Sequence, residues 1–273
     1  FSHQTMLFVD LEACFLQKGY KRRHQQILEI GMCVGNKTFQ RLVNPCGDNE
    51  IIAELENMGQ DPVKTIRFWT KLLIGKKYLN TAVKRKSIQH QANAIRKLTS
   101  DTSIFLPPDT AMRQAHSFAQ DHQTWVAHNG KSFDFHIIRA HLNKLGLKLP
   151  LFVDSLPIVR KKLSLCTHSQ PFVYHHLFHD KYNAHHALDD AQALQKIWNK
   201  IHLCKTDEKD NGNTKKTSKA NDANDLLSLY GVGPKSVEEL NRNGIQTVDQ
   251  LRVAARSGRT FKIVRKSVLQ RLQ

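Results

Sequence analysis

Two acids, Asp10 and Glu12, stand two residues apart at the end of an apolar run, MLFVDLEA. In a β-strand that spacing sends both side chains from the same face of a sheet. Two further acids sit where they could join them: Asp134 after HNGKSF, at the entry to a helical pattern, and Asp190 in HHALDDAQAL, the fifth residue after His185. Four carboxylates suit hard divalent cations, which take oxygen donors, and an unperturbed histidine titrates at about 6.5. Metal-assisted cleavage of a phosphodiester draws on that combination. Taken singly, each residue has a plainer reading. D-x-E after a strand is weak evidence for a metal, and Asp134 is equally an N-terminal helix cap. Asp190 in a first turn ordinarily compensates the helix dipole, and a lone His185 is ordinarily a surface or core residue.

Positioning such a set requires strands that end together and helices that begin there. MLFVDLEA reads as a first strand, and ILEIGMCVG and KTFQRLVNP as two more, joined by a hairpin at Gly35-Asn36. TWVAHNG predicts a strand ending in a loop. The following FDFHIIRAHLNKLGL places Phe135, Ile138, Leu142 and Leu145 at helical spacing, with Gly146 as its C-cap. LPLFVDSLPIV predicts one more short strand, and ALDDAQALQKIWNKI an amphipathic helix. A strand meander followed by alternating strands and helices predicts an α/β domain with a mixed sheet flanked by helices.

FVDLE, HNGKSFD and HHALDDA, in that order, resemble the three motifs of the DEDDh 3′-5′ exonucleases, a family with a ribonuclease-H-like core. AHNG and FDF with LGL downstream, then VDSL at Val153 to Leu156, are similar to the three-prime repair exonucleases in particular. The resemblance covers Thr5 to Ile201, with Pro62 to Ser100 lacking an obvious counterpart. It implies that Asp10, Glu12, Asp134 and Asp190 bind two Mg²⁺ or Mn²⁺ ions, Asp10 bridging them, and that His185 is the general base. It also implies 3′-5′ hydrolysis releasing nucleoside 5′-monophosphates. Leu16 matches an apolar wedge against the terminal base, and Asn129 a polar loop residue of the site, for which a turn cap is an equal reading. Asp154 is expected outside the ligand set. His175, His176 and His179 lack a fourth ligand at suitable spacing and read as a helix surface.

The chain's 273 residues carry 41 Lys+Arg against 24 Asp+Glu, a net charge of +17 that favours a polyanionic partner. Pro62 to Ser100 holds ten Lys and Arg and no acid, Lys84, Arg85 and Lys86 among them, with apolar residues interleaved as in helices. It reads either as a solvated basic face or as a phosphate-tracking surface. The expected organisation is an exonuclease domain at 1–202 with a basic insertion at 62–100, a linker at 203–222, and a small all-α domain at 223–273. In the last, NDLLSLYGVGPKSVEELNRNG resembles a helix-hairpin-helix, with Gly231, Gly233 and Lys235 as backbone-phosphate contacts and Pro234 opening the second helix. The following NGIQTVDQL is similar to the helix-hairpin-helix of family X DNA polymerases. The pairing of the two domains loosely resembles the exonuclease-like region attached to some promyelocytic leukaemia proteins. A chain opening on Phe1 suggests a piece of a longer one.

DNA with single-stranded or frayed 3′ ends is the expected substrate, RNA trimming the runner-up, and an inactive nucleic-acid-binding scaffold the rival from another class. The repair exonucleases dimerise, but the sequence supplies no interface for a homodimer here. Five cysteines without CxxC pairing read as free thiols of a reducing compartment. No apolar run reaches the roughly 20 residues that span a bilayer. The first ten residues lack the pattern of a signal peptide, so a nuclear or cytoplasmic location is expected.

Overall fold

The computed structural model describes residues 6–46, 50–203, 226 and 234–261. Contacts divide the chain into two compact units, one of residues 1–163 and 169–204, the other of 164–168 and 205–273.

The first unit is built on a mixed six-stranded sheet. Its strands are β1 (Leu7–Ala13), β2 (Ile27–Val34), β3 (Lys37–Val43), β4 (Phe105–Leu106), β5 (Thr124–Ala127) and β6 (Leu151–Asp154). They lie in the order β4-β3-β2-β1-β5-β6. The hairpin through Gly35 makes β2 antiparallel to β3, and β2 is also antiparallel to β1, whereas β1, β5 and β6 run parallel. Helices α1 (Ile51–Asn57), α2 (Pro62–Gly75), α3 (Ile88–Thr99), α4 (Pro108–Phe118), α5 (Asp134–Lys144), α6 (Ser155–Lys162), α7 (Gln170–Phe178) and α8 (Ala187–Leu203) complete this unit.

β2 is buried along its whole length, as its near-continuous apolar run requires. On one face of the sheet Leu7, Val9 and Leu11 pack with Ile30 and Met32 against Ala111 and Met112 of α4 and Ile138 and Leu142 of α5. On the opposite face Phe8 and Cys33 meet Ala191, Leu194 and Trp198 of α8. Asp10 and Glu12 alternate with the first set and share the face of Phe8, so they point to the side that α8 covers.

The acid-free stretch from Pro62 to Ser100 is part of this core. Trp69, Leu72 and Leu73 of α2 and Ala92 and Ile95 of α3 are buried with Leu28, Leu42 and Phe105 of the sheet. The expected helices are there, and Pro62 opens α2 with the Asp61 side chain accepting from Lys64 N–H. The short strand expected in LPLFVDSLPIV is β6, Leu151–Asp154. It ends at Asp154, whose carboxylate accepts from Leu156 N–H at 3.0 Å and caps α6. Pro157 is tolerated because it falls in the first helical turn. Cys14, Cys33 and Cys46 are buried cysteines outside any disulfide, and Cys166 is exposed.

In the second unit, α9 (Pro234–Arg242) and α10 (Val248–Arg256) close a small core of Leu226, Leu240, Ile245, Leu251 and Phe261. Gly244, at φ 75°, ends the α9 turn, and Thr247 with Gln250 forms a reciprocal capping box on α10. Gly231, Gly233 and the side chain of Lys235 lie outside the described residues. No described helix is long and apolar enough to cross a membrane.

Candidate active site

The site begins where β1 outruns its parallel neighbour. Only Leu7 and Phe8 pair with β5, so beyond them that edge of β1 has no strand partner. Leu11 N–H donates instead to Asp134 Oδ1 at 3.1 Å, across 123 residues of sequence. Asp134 therefore stands at the start of α5 with its carboxylate drawn to β1. Behind it, Asp154 Oδ2 accepts from Lys131 N–H at 3.1 Å and holds the loop that follows β5.

On the other side of β1, Asp10 is paired with Gly31 and Glu12 with Glu29 in the antiparallel ladder. Opposite residues of a ladder share a face, so the missing side chain of Gly31 leaves a notch beside Asp10. The first turn of α8 fills that notch, bringing Asp190 over β1. Asp10, Glu12 and Asp190 offer carboxylate oxygens all within 4.8 Å of one another, and no other such group of ligand side chains occurs among the described residues. His175, His176 and His179 belong to no such group. His185 has a left-handed backbone, φ 67°, which turns two successive N–H groups toward one oxygen. His185 and His186 N–H donate to Asp190 Oδ2 at 2.7 and 3.2 Å.

Crowding four carboxylates in a buried place raises their proton affinity. Burial first, then the charges of Asp190, Glu29 and Asp134, push Glu12 to about 8, while Lys76 acts in the opposite sense. Burial pushes Asp134 to about 7, helped by Asp154 and Asp190. Asp10 lies well above the usual carboxylate range through burial first, then the charges of its four acidic neighbours Asp134, Asp190, Glu12 and Glu29. Burial raises Asp190 too, against the hydrogen bonds it accepts. An all-oxygen set under this mutual repulsion fits a hard divalent cation, which would relieve it.

A stability signature follows. A carboxylate whose folded pKa is raised keeps a proton that the unfolded chain has released, so its contribution is full near pH 4 and is lost as pH rises through about 7 and 8. In EDTA the melting temperature is therefore expected to fall between pH 5 and 8. Saturating Mn²⁺ should raise it more at pH 8 than at pH 5, as read by scanning calorimetry.

Beside the carboxylates opens a cleft of about 700 Å³, lined by Glu12, His185, Leu16, Phe15, Phe68 and Phe133, with Arg22 and Lys71 as its cations. Leu16 is tied to Gln60 by an isolated bridge. Phe15, 40% exposed, meets Phe68 edge to face at 5.6 Å. Of these two cations, Lys71 belongs to the acid-free stretch expected to track phosphates, whereas Arg22 carries no sequence signal. Phe68 and Lys71 are one turn apart on α2, and that spacing was the available signal. Lys84, Arg85 and Lys86 are exposed on a 3₁₀ turn and do not line this cleft. Asn129 is exposed in the left-handed turn after β5, with no capping bond from its side chain, and does not line it either.

A family model described as "3'-5' exoribonuclease Rv2179c-like domain" matches residues 5–202. It runs through the basic helices as well as the strands. Among curated proteins, "Exonuclease DPD1, chloroplastic/mitochondrial" of Arabidopsis thaliana is 31% identical over 86 residues, which span 28% of this chain and 27% of that one. Among solved structures, the nuclease domain of 3'hExo, a DEDDh family member bound to rAMP, is 15% identical with a TM-score of 0.42, covering 79% of this chain and 98% of that one. The first and third motifs fold onto one cluster of acids, Asp134 of the second is held to β1 by Leu11 N–H, and a family model matches nearly the whole of the first unit. The chain belongs to the 3′-5′ exoribonuclease Rv2179c-like domain family, and its three motifs are those of the DEDDh type.

Proposed function

We propose that the protein removes nucleotides one at a time from the 3′ ends of unpaired strands, releasing nucleoside 5′-monophosphates. The observation that carries this reading is the convergence of Asp10, Glu12 and Asp190 beside a cleft that also holds His185. In this reading Asp10, Glu12, Asp134 and Asp190 hold two divalent ions, Mg²⁺ or Mn²⁺, which when bound acidify the attacking water and neutralise charge on the leaving 3′ oxygen. His185, exposed at the cleft, takes the proton of that water. Phe15, Leu16 and Phe68 give an unpaired terminal base an apolar seat, and Arg22 and Lys71 meet its phosphates. Lys84, Arg85 and Lys86 extend the cationic surface available to longer strands.

The family's description supports RNA as the polymer. DNA is the second reading, favoured by the second unit. There a helix opening at Pro234 and stopped at Gly244 suits the helix-hairpin-helix expected from sequence, with Gly231, Gly233 and Lys235 as its phosphate contacts. Single-stranded DNA, duplex DNA and RNA of one sequence, each labelled at either end, test both readings together. In Mn²⁺ or Mg²⁺ a 3′ label should appear at once as mononucleotide while a 5′ label shortens as a ladder, and EDTA should abolish both. Intact strands in either metal would sink the proposal; the faster polymer decides between RNA and DNA.

A further inference from the structure

Both oxygens of Asp190 are engaged by the protein. While Oδ2 takes the two backbone N–H groups, Oδ1 accepts from the Tyr182 hydroxyl at 2.6 Å and from Gln170 Nε2 at 3.3 Å. Gln170 Nε2 also reaches the Tyr182 hydroxyl at 3.1 Å and the Asp190 carbonyl at 2.8 Å. Gln170 is buried, 7% exposed, at the start of α7. The Tyr182 ring is fixed edge-on against Tyr174, with centroids 4.9 Å apart. The donors are thus rigid, and they come from a helix and a loop outside the three motifs.

An ionised carboxylate accepts about four hydrogen bonds. The Gln170 amide has two N–H groups for three acceptors, so its long 3.3 Å contact leaves Asp190 Oδ1 a lone pair for a cation. Short, charge-assisted donors on both oxygens fix the plane of Asp190, which a bare aspartate on a helix would leave free to rotate. We propose that Tyr182 and Gln170 are positioning residues for the cation site, holding Asp190 in the one orientation that faces Asp10 and Glu12. This rests on the nuclease reading above. Outer partners of metal-ligating carboxylates are worth about 10–100-fold in affinity or activity.

The test is Tyr182→Phe in the full chain, which keeps the ring against Tyr174 and removes one oxygen. Mn²⁺ binding is measured by electron paramagnetic resonance of the free ion, beside strand degradation at graded Mn²⁺. Expected are a Kd for Mn²⁺ raised about 10-fold or more and activity that recovers at high Mn²⁺. Gln170→Met, which removes the amide backing the hydroxyl, should move the titration the same way and serves if the first variant fails to fold. Mn²⁺ affinity within twofold of wild type in the folded variants, or a lowered melting temperature with unchanged affinity, overturns the proposal. Wild type that binds Mn²⁺ yet degrades no strand overturns the nuclease reading instead, and the affinity comparison still decides this one.

Discussion

Gly31→Ala is expected to leave a protein with at least about 100-fold lower exonuclease activity and a markedly lower melting temperature. A Cβ on Gly31 would stand 2.1 Å from the Ala187 carbonyl carbon, 2.2 Å from Leu188 N and 2.3 Å from the Ala187 oxygen. Carbon contacts are comfortable at about 3.5 Å, so α8 must retreat by roughly 1 Å or more. The clash is with backbone, and no side chain can swing away to absorb it. Two costs follow. Ala191 and Leu194 lose their fit against Phe8 and Cys33, and forced overpacking of this kind costs about 1–3 kcal/mol or more. Asp190 also moves away from Asp10 and Glu12, and a misplacement of about 1 Å at a reacting centre costs on the order of 100-fold. Urea unfolding and degradation of a labelled strand read the two losses separately. A variant with wild-type activity would mean that α8 does not need this notch to deliver Asp190.

Gly31 also shows where sequence reading stopped. Alternation along MLFVDLEA places Asp10 and Glu12 on one face, and the structure agrees, because the opposite face carries the apolar core. The helical spacing of Phe135, Ile138 and Leu142 likewise gives α5 its buried stripe. Periodicity states which face is buried; it is silent about what will cover it. A glycine inside an apolar strand hints at a close backbone approach, but the partner, 156 positions on at Ala187, is set by topology. The same holds for Asp134, whose carboxylate reaches Leu11 N–H where β1 outruns β5. Tyr182 and Gln170 carry no local pattern at all, since their meeting requires α7 to lie against α8. Conversely, the charge of the segment from Pro62 to Ser100 drew attention to Lys84, Arg85 and Lys86. The residues of that segment that reach the cleft, Phe68 and Lys71, are chosen by the way α2 packs.

That packing rests on an unusual anchor, and breaking it is the second large effect expected. Glu29 is fully buried directly across the ladder from Glu12, a placement in which like charges oppose each other. Lys76, at the end of α2, lies 2.9 Å from Glu29 Oε1, and its own side chain is only 14% exposed. Gln40 Nε2 donates to the same oxygen at 2.6 Å, while Oε2 receives no hydrogen bond among the described residues. Lys76→Met therefore strands a carboxylate without its cation in the interior, and removing one partner of a buried pair costs about 3–5 kcal/mol. It also removes the positive charge that offsets the crowding at Glu12 and frees the end of the helix whose Phe68 and Lys71 wall the cleft. Lys76→Met combined with Glu29→Gln takes away both charges and should recover most of the lost stability, because an intact buried pair is worth little more than neutral residues of its size. Urea unfolding of the two single variants and the double variant gives the coupling. A loss below about 1 kcal/mol for Lys76→Met would mean the pair is effectively solvated, and the anchoring of α2 to the sheet at β2 would then fall to apolar contacts such as those of Trp69, Leu72 and Leu73.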